Sequence, residues 1–379
     1  VKDPVIQGEN LLYVSELIEK RATEAISKLT DNNVENNERI IEYLTSLLSC
    51  LNSIGKGMQL PDEVEECLTD EEEKTLSDFW HQDPLNIHPR LLNLINIFTS
   101  SHPLLISNLG ITEEAVNTLQ CGLTESIPGP FVFSNDSILQ FIITKFENQK
   151  TGKNSYPLLY GLLNSLITSN YRDFDEFIIS NILNQIFFNK LNIINDDPDL
   201  EQSSISIFST ILIKSPNLIL SNPDNQLETI LEFSLNLLTK NEKFVIKSSE
   251  MFWTRLITLR KGSKNDTLIV SNLFNETQLG YVLTYRTLSS LISTQRSNID
   301  SFIEIIKNLI SKYTLNSKNW LTDSISKINQ DRSSKNLKIV ENSDILIKKL
   351  ILTRGNRNCN SILKDFWLQI NNLIDYNKK

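Results

Sequence analysis

Residues 36–54 read NNERIIEYLTSLLSCLNSI, and the apolar positions in that run, Ile40, Ile41, Leu44, Leu47, Leu48, Leu51 and Ile54, are separated by steps of one or three. Such steps put the side chains on one stripe of an α-helix, whereas a half-buried strand would alternate at every second residue. The pattern returns along the chain, in Leu91, Leu92, Ile95 and Phe98, and in Leu158, Leu159, Leu162, Leu163, Leu166 and Ile167. It returns again in Ile299, Phe302, Ile303, Ile306, Leu309, Ile310 and Tyr313, and in the run from Ile362 to Ile374. No sustained two-residue alternation occurs, so the expectation is an all-α fold. The apolar stripes are wide, which implies helices touched on two sides.

The punctuation agrees. Pro89, Pro157, Pro198 and Pro223 fall within a residue or two of expected helix starts, where a missing N–H costs nothing. Asp70 and Thr112, each followed by acids, read as N-terminal caps, and Gly55, Gly152 and Gly262 as helix ends. Stretches 59–73, 121–133, 195–203 and 329–342 read as loops. Grouping the stripes gives about eighteen helices in about eight or nine pairs, with a period of about 40 residues, the spacing of HEAT-type repeats. One such pair cannot bury its apolar face alone, so the pairs are expected to stack as a single α-solenoid over residues 1–379.

The composition narrows the classes of function. Of 379 residues, 40% are hydrophobic and 22% charged, with only 11 Gly and 11 Pro, which excludes a disordered or collagen-like chain. There is no run of eighteen apolar residues, so no membrane insertion is expected. Cys50, Cys67, Cys121 and Cys359 are too few for a disulfide framework and point to a reducing, intracellular setting. The formal net charge is −9, unevenly spread: residues 1–80 carry a net of −11 and residues 301–379 a net of +7. An acidic end of this size favours a basic protein partner and argues against direct nucleic-acid binding. The densest cluster lies in residues 62–73, where Asp62, Glu63, Glu65, Glu66, Asp70, Glu71, Glu72 and Glu73 make eight acids in twelve residues. These eight are the candidate partner-binding residues, weighed against a plain solvated loop.

Catalytic chemistry is sparsely supplied. His81, His88 and His102 are not spaced as metal ligands, and no Cys-x-x-Cys, nucleophile elbow or phosphate-cradling glycine loop occurs. Neither a metal nor a cofactor is expected, and the chain does not read as an enzyme. Cys359 beside Arg354 and Arg357 is the one thiol whose neighbours could lower its pKa. Met58, Met251, Trp80, Trp253, Trp320 and Trp367 read as core or, more sharply, as the lining of grooves that accept a side chain from a partner peptide.

Four segments carry a family resemblance: Met251-Phe252-Trp253-Thr254-Arg255-Leu256, then Leu279-Gly280-Tyr281-Val282-Leu283-Thr284-Tyr285-Arg286-Thr287-Leu288, then Asn319-Trp320-Leu321-Thr322-Asp323-Ser324-Ile325, and last Ile362-Leu363-Lys364-Asp365-Phe366-Trp367. In order and spacing they resemble the tail of the karyopherin-β (importin/exportin) family, in its importin-thirteen and transportin-SR branch. Members of it show a Phe-Trp pair on a helix, a helix opening on Gly, a Trp-Leu before a loop and a last helix bearing Asp-Phe. Ser53-Ile54-Gly55-Lys56-Gly57 and Tyr156 to Leu163 are similar to mid-chain helices of that family. The Asn- and Ile-rich composition suggests a fungal member, and the length suggests the C-terminal portion of a longer chain. What the resemblance implies is a nuclear transport receptor that binds protein cargo on a concave face under control of the Ran GTPase, touches Phe-Gly-repeat nucleoporins and shuttles between cytoplasm and nucleus. The alternative is a HEAT scaffold or regulatory subunit unrelated to transport. Because the matching motifs are packing motifs, no binding residue is carried over from the family.

Overall fold

The Asp3 carboxylate accepts the Val5 N–H at 2.9 Å and Pro4 takes the first helical position, so the first helix, α1 (Pro4–Ile26), starts with both devices that make a helix N-terminus favourable. The structure is a computed structural model that describes residues 3–30, 34–61, 65–123, 125, 127–148, 153–221 and 226–373. Its contacts divide the chain into two compact units, Val1–Asn170 and Tyr171–Lys379. Among the described residues the regular structure is helical throughout, with no strand, and no helix is long and apolar enough to cross a membrane.

In the first unit α1 is followed by α2 (Val34–Met58), α3 (Asp70–Gln82), α4 (Ile87–Ser100), α5 (Leu109–Gln120), α6 (Asn135–Glu147) and α7 (Tyr156–Asn170). Helix α1 lies on α4, α2 on α5, and α5 on α7, with α6 beside α7. Helices adjacent in sequence are therefore layered on helices of the next pair, which is the helical-repeat arrangement the stripes imply. The decisive stripe is in place: Leu44, Leu48 and Leu51 of α2 are fully buried.

The second unit holds α8 (Glu176–Ile186), α9 (Pro198–Lys214), α10 (Gln226–Leu237), α11 (Lys243–Thr258), α12 (Lys264–Glu276), α13 (Leu279–Ser293), α14 (Ile299–Lys312), α15 (Thr314–Ser334), α16 (Ser343–Leu352) and α17 (Asn358–Ile370). One row runs α9, α11, α14, α17, each helix packed on the next, and α13, α15 and α16 form another. Starts at Pro198, Lys243, Ile299 and Asn358 are more widely spaced than the period of about 40 residues suggests. Additional helices, such as α12 and α13 between α11 and α14, lengthen each step of the row.

Several local expectations need correction. The cap of α3 is Thr69, not Asp70: the Thr69 hydroxyl accepts the Glu72 N–H at 3.3 Å while the Glu72 carboxylate accepts the Thr69 N–H at 3.0 Å, a reciprocal pair that fixes the start one residue earlier. Thr112 lies buried inside α5, whose cap is Asn108, accepting from the Ile111 N–H at 3.0 Å. Of the expected loops, 198–203 are the first turns of α9, where Pro198 stands at the first position, and α15 continues through Ser334. Both turns are rich in polar residues, so few apolar side chains mark the helical period there, although Leu200 and Glu201 are buried. Pro157 and Pro89 lie in first turns as expected, whereas Pro223 and Gly152 lie outside the described residues. Gly55 does not end α2. It lies within it, where an added Cβ would stand 3.0 Å from Cys121 Sγ and 3.1 Å from the Phe131 ring.

Trp320, expected before a loop, sits inside α15 and explains the Gly at the start of α13. A Cβ on Gly280 would lie 2.2 Å from the Trp320 indole, so α13 and α15 approach as closely as they do only because residue 280 has no side chain. Substituting Gly280→Ala forces the two helices apart or turns the indole out of its site, and is expected to destabilise the fold by about 1–3 kcal/mol. A lower thermal midpoint by circular dichroism checks this, and an unchanged midpoint would refute the close approach.

Candidate partner-binding groove

Four of the eight candidate acids, Asp70, Glu71, Glu72 and Glu73, occupy the first turn of α3, all exposed, where the positive end of the helix dipole favours them. Hydrogen bonds from the Thr69 backbone and then its hydroxyl hold Glu72 below the usual carboxylate range. Glu65 is half-buried and Glu66 exposed just before that helix, while Asp62 and Glu63 lie outside the described residues. What the sequence describes as an acidic loop is thus, in its second half, one acidic turn of a helix.

Behind that turn the same helix faces inward with Leu76 and Trp80, buried to 5% and 3% exposure, and lines a cavity of about 620 Å³. The opposite walls come from Ile6 and Val14 of α1 and from Ile54 and Met58 of α2. Residues Ile127, Pro128 and Pro130, in the segment after α5, supply the remaining side. Trp80 and Met58 thus line one cavity, whose apolar walls are interrupted by Asp3, Gln7, Asn10 and Gln59. The other aromatics pack in the interior: Trp253 is fully buried edge-on to Phe252 at 5.5 Å, and Trp320 and Trp367 are nearly so.

Glu125 adds polarity to this wall. Burial raises its pKa to about 7, a hydrogen bond from the Gln59 side chain offsets part of that rise, and the Glu65 charge adds to it. Gln59 also donates to the Cys121 carbonyl, which ties the end of α2 to the segment bearing Glu125. A cation brought into the groove would favour the ionised form of Glu125, and the acids around it would attract the same charge. The structure therefore brings together what the sequence offered separately, an acidic cluster and an aromatic groove. Glu125 escaped sequence reasoning because it stands alone in a loop-like stretch, with only the Pro128-Gly129-Pro130 turn to mark a rigid segment beside it.

Other candidates resolve differently. The Cys359 thiol is buried and its pKa is raised to about 11, because desolvation outweighs the lowering effects of the Thr353 side chain and the Lys307 charge. His88 stands 3.5 Å from Asp83, His81 contacts the Ser77 carbonyl at 2.8 Å and His102 caps a short helical turn. Among the described residues no group of three His, Cys, Asp or Glu side chains is placed to hold a metal ion.

The fold defines a class, proteins built of stacked helical-pair repeats. Within that class the chain is similar to a solved structure titled "Importin13 cytosolic state", at a TM-score of 0.53 and 14% identity, over 96% of this chain and 44% of that one. The chain thus spans less than half the length of that importin, and at such identity the likeness is one of fold. No protein-family model and no curated protein matches the sequence.

Glu125 yields a test with a definite sign. Its folded pKa of about 7 lies above the value of 4.5 for a free carboxylate, so ionising it costs stability progressively as pH rises from about 4.5 through 7. Glu125→Gln is expected to raise the thermal midpoint at pH 8 and to leave it nearly unchanged at pH 5. Equal shifts at both pH values would place the carboxyl in solvent.

Proposed function

We propose that the chain is part of a nuclear transport receptor of the karyopherin-β kind, in the importin-thirteen and transportin-SR branch and from a fungus. On this reading it binds folded protein cargo, responds to the Ran GTPase, touches Phe-Gly-repeat nucleoporins and shuttles between cytoplasm and nucleus. The observation that carries the reading is a helical-repeat fold, like that of an importin, in which an apolar groove opens beside an acidic helical turn.

The mechanism follows from that pairing. The exposed turn of Asp70, Glu71, Glu72 and Glu73 draws a basic surface by long-range attraction, screened by salt over roughly 8–10 Å at ordinary ionic strength. The groove then holds an apolar side chain against Trp80 and Met58, with its burial supplying the short-range part of the affinity. Ran would release cargo if the two ligands favour different curvatures of the helical array, since a ligand shifts an equilibrium only by its differential affinity.

Immobilised chain should retain a basic cargo protein and release it as salt rises, and it should hold Phe-Gly-repeat peptides. Glu71→Gln with Glu73→Gln spares the capping pair of Thr69 and Glu72, and is expected to weaken retention of the basic protein several-fold at low salt while flattening its salt dependence. Retention indifferent to salt and to these substitutions would refute the acidic contact. Retention of the basic protein without any hold on Phe-Gly peptides would instead favour the scaffold or regulatory subunit.

A further inference from the structure

Helix α6 carries a lysine where its neighbours are apolar: Ile138, Ile142 and Phe146 are buried, and so is Lys145, at 4% exposure. Its Nζ donates to the Thr99 carbonyl at the end of α4 at 2.8 Å and lies 6.0 Å from the centre of the Phe141 ring. The Thr99 carbonyl is the one hydrogen-bond partner the ammonium has among the described residues, so two of its three N–H bonds have no protein acceptor. Among the described residues no carboxylate pairs with it, and Glu113 of α5 and Glu147 of its own helix are exposed. Arg90 of α4 is engaged with Glu16 and Glu114 of α5 accepts from Asn52, while α7 contributes no charged residue. A buried ammonium without a counterion is costly, and here it stands in a cavity.

That cavity, of about 570 Å³, lies along the seam of α4, α5 and α6. Leu92, Ile95, Leu119 and Phe141 give it apolar walls, and Asn96, Ser100, Ser137, Gln140 and Thr144 give it a polar margin. Asp136 is the one acid that lines it, nine residues before Lys145 on the same helix and so roughly 13 Å away along the axis. It cannot serve as the counterion.

We infer that this cavity is a binding site for an apolar monocarboxylate, whose carboxylate takes the free N–H bonds of Lys145 while its hydrocarbon body lies on Leu92, Ile95, Leu119 and Phe141. The chemistry is shared by a free carboxylic acid and by the C-terminal carboxylate of a peptide ending in an aliphatic residue. This inference is independent of the transport reading, for it uses no residue of the acidic turn or of the groove. Burial sets the lysine pKa at about 8, so the free site is charged at neutral pH and discharges within the accessible range.

Calorimetric titration of the full chain with octanoate and with a short peptide ending in leucine tests the site. Saturable one-site binding of either is expected at pH 7, with the matching octanamide or peptide amide failing to bind. Affinity should fall about tenfold or more between pH 7 and pH 9.5, as the ammonium loses its proton. Lys145→Met keeps a similar length without the charge and should abolish binding. Should that variant not fold, the amide controls and the pH dependence of the unaltered chain still decide the matter. Octanoate alone binding assigns the site to free acids, and the peptide alone assigns it to a C-terminus. Absence of binding by both at millimolar concentration, equal binding of acid and amide, or full binding by a folded Lys145→Met variant would overturn the inference.

Discussion

Each helical pair leaves one apolar face uncovered until the next pair is laid against it, and the rest of the molecule follows from that constraint. In α14 seven side chains, Ile299, Phe302, Ile303, Ile305, Ile306, Leu309 and Ile310, are buried, too many for one contact face, because α11 meets the helix on one side and α17 on another. Phe252 and Trp253, without exposure, fill the corresponding seam on α11. Burying a large apolar side chain is worth about 1.5–3 kcal/mol, so a seam of this kind outweighs any single polar contact on the surface. Function must then be built where a seam is incomplete. Two cavities among the described residues of the first unit are such places, one walled by α1, α2, α3 and the segment after α5, the other by α4, α5 and α6.

Helices were legible because their apolar period is dictated by burial, and burial is what the fold is made of. The stripe at residues 36–54 and those of α7, α14 and α17 can be read from spacing alone. Their ends were harder to read, since a cap is a choice among adjacent polar residues. Asp70 and Thr69 are both good caps, and only the return bond from Glu72 selects Thr69. Thr112 failed in the same way, with Asn108 available four residues earlier. Polar turns inside α9 and α15 carry too few apolar residues to show a period, so they read as loops although the backbone continues.

The groove was half legible. Its acids and its Trp80 were visible as a cluster and as an aromatic, yet nothing in their spacing says that residues 3–14, 54–61, 76–80, 125 and 127–130 converge. Convergence is a property of helix stacking, and stacking is chosen by the shapes of whole faces. Gly280 shows how fine that choice is: its missing Cβ matters only because Trp320, forty positions later, comes to lie on it. Lys145 had a weak signal, a charged residue set in an apolar stripe, which spacing alone would assign to a snorkelling surface position.

The treatment of buried charge differs between sites. Glu201 on α9, at 1% exposure, is met by Lys240 at 2.5 Å, and Glu250 on α11, at 3%, by Lys247, so in the second unit each of these interior acids has its opposite charge within contact. Glu125 and Lys145 in the first unit have no such partner among the described residues: Glu125 takes its hydrogen bond from a neutral amide and feels a charge of its own sign from Glu65, and Lys145 takes one carbonyl. Removing water from an ionisable group without supplying an opposite charge destabilises the ionised form, and both groups accordingly titrate close to neutrality. Each lines a cavity. An external group of opposite charge entering either one would therefore gain more than a surface pair offers, because the desolvation has already been incurred in the free protein. On the proposed readings the two sites would select in opposite senses, a cation beside an apolar side chain at Glu125 and an anion on an apolar body at Lys145, with the lining of each cavity supplying the apolar half of that selection.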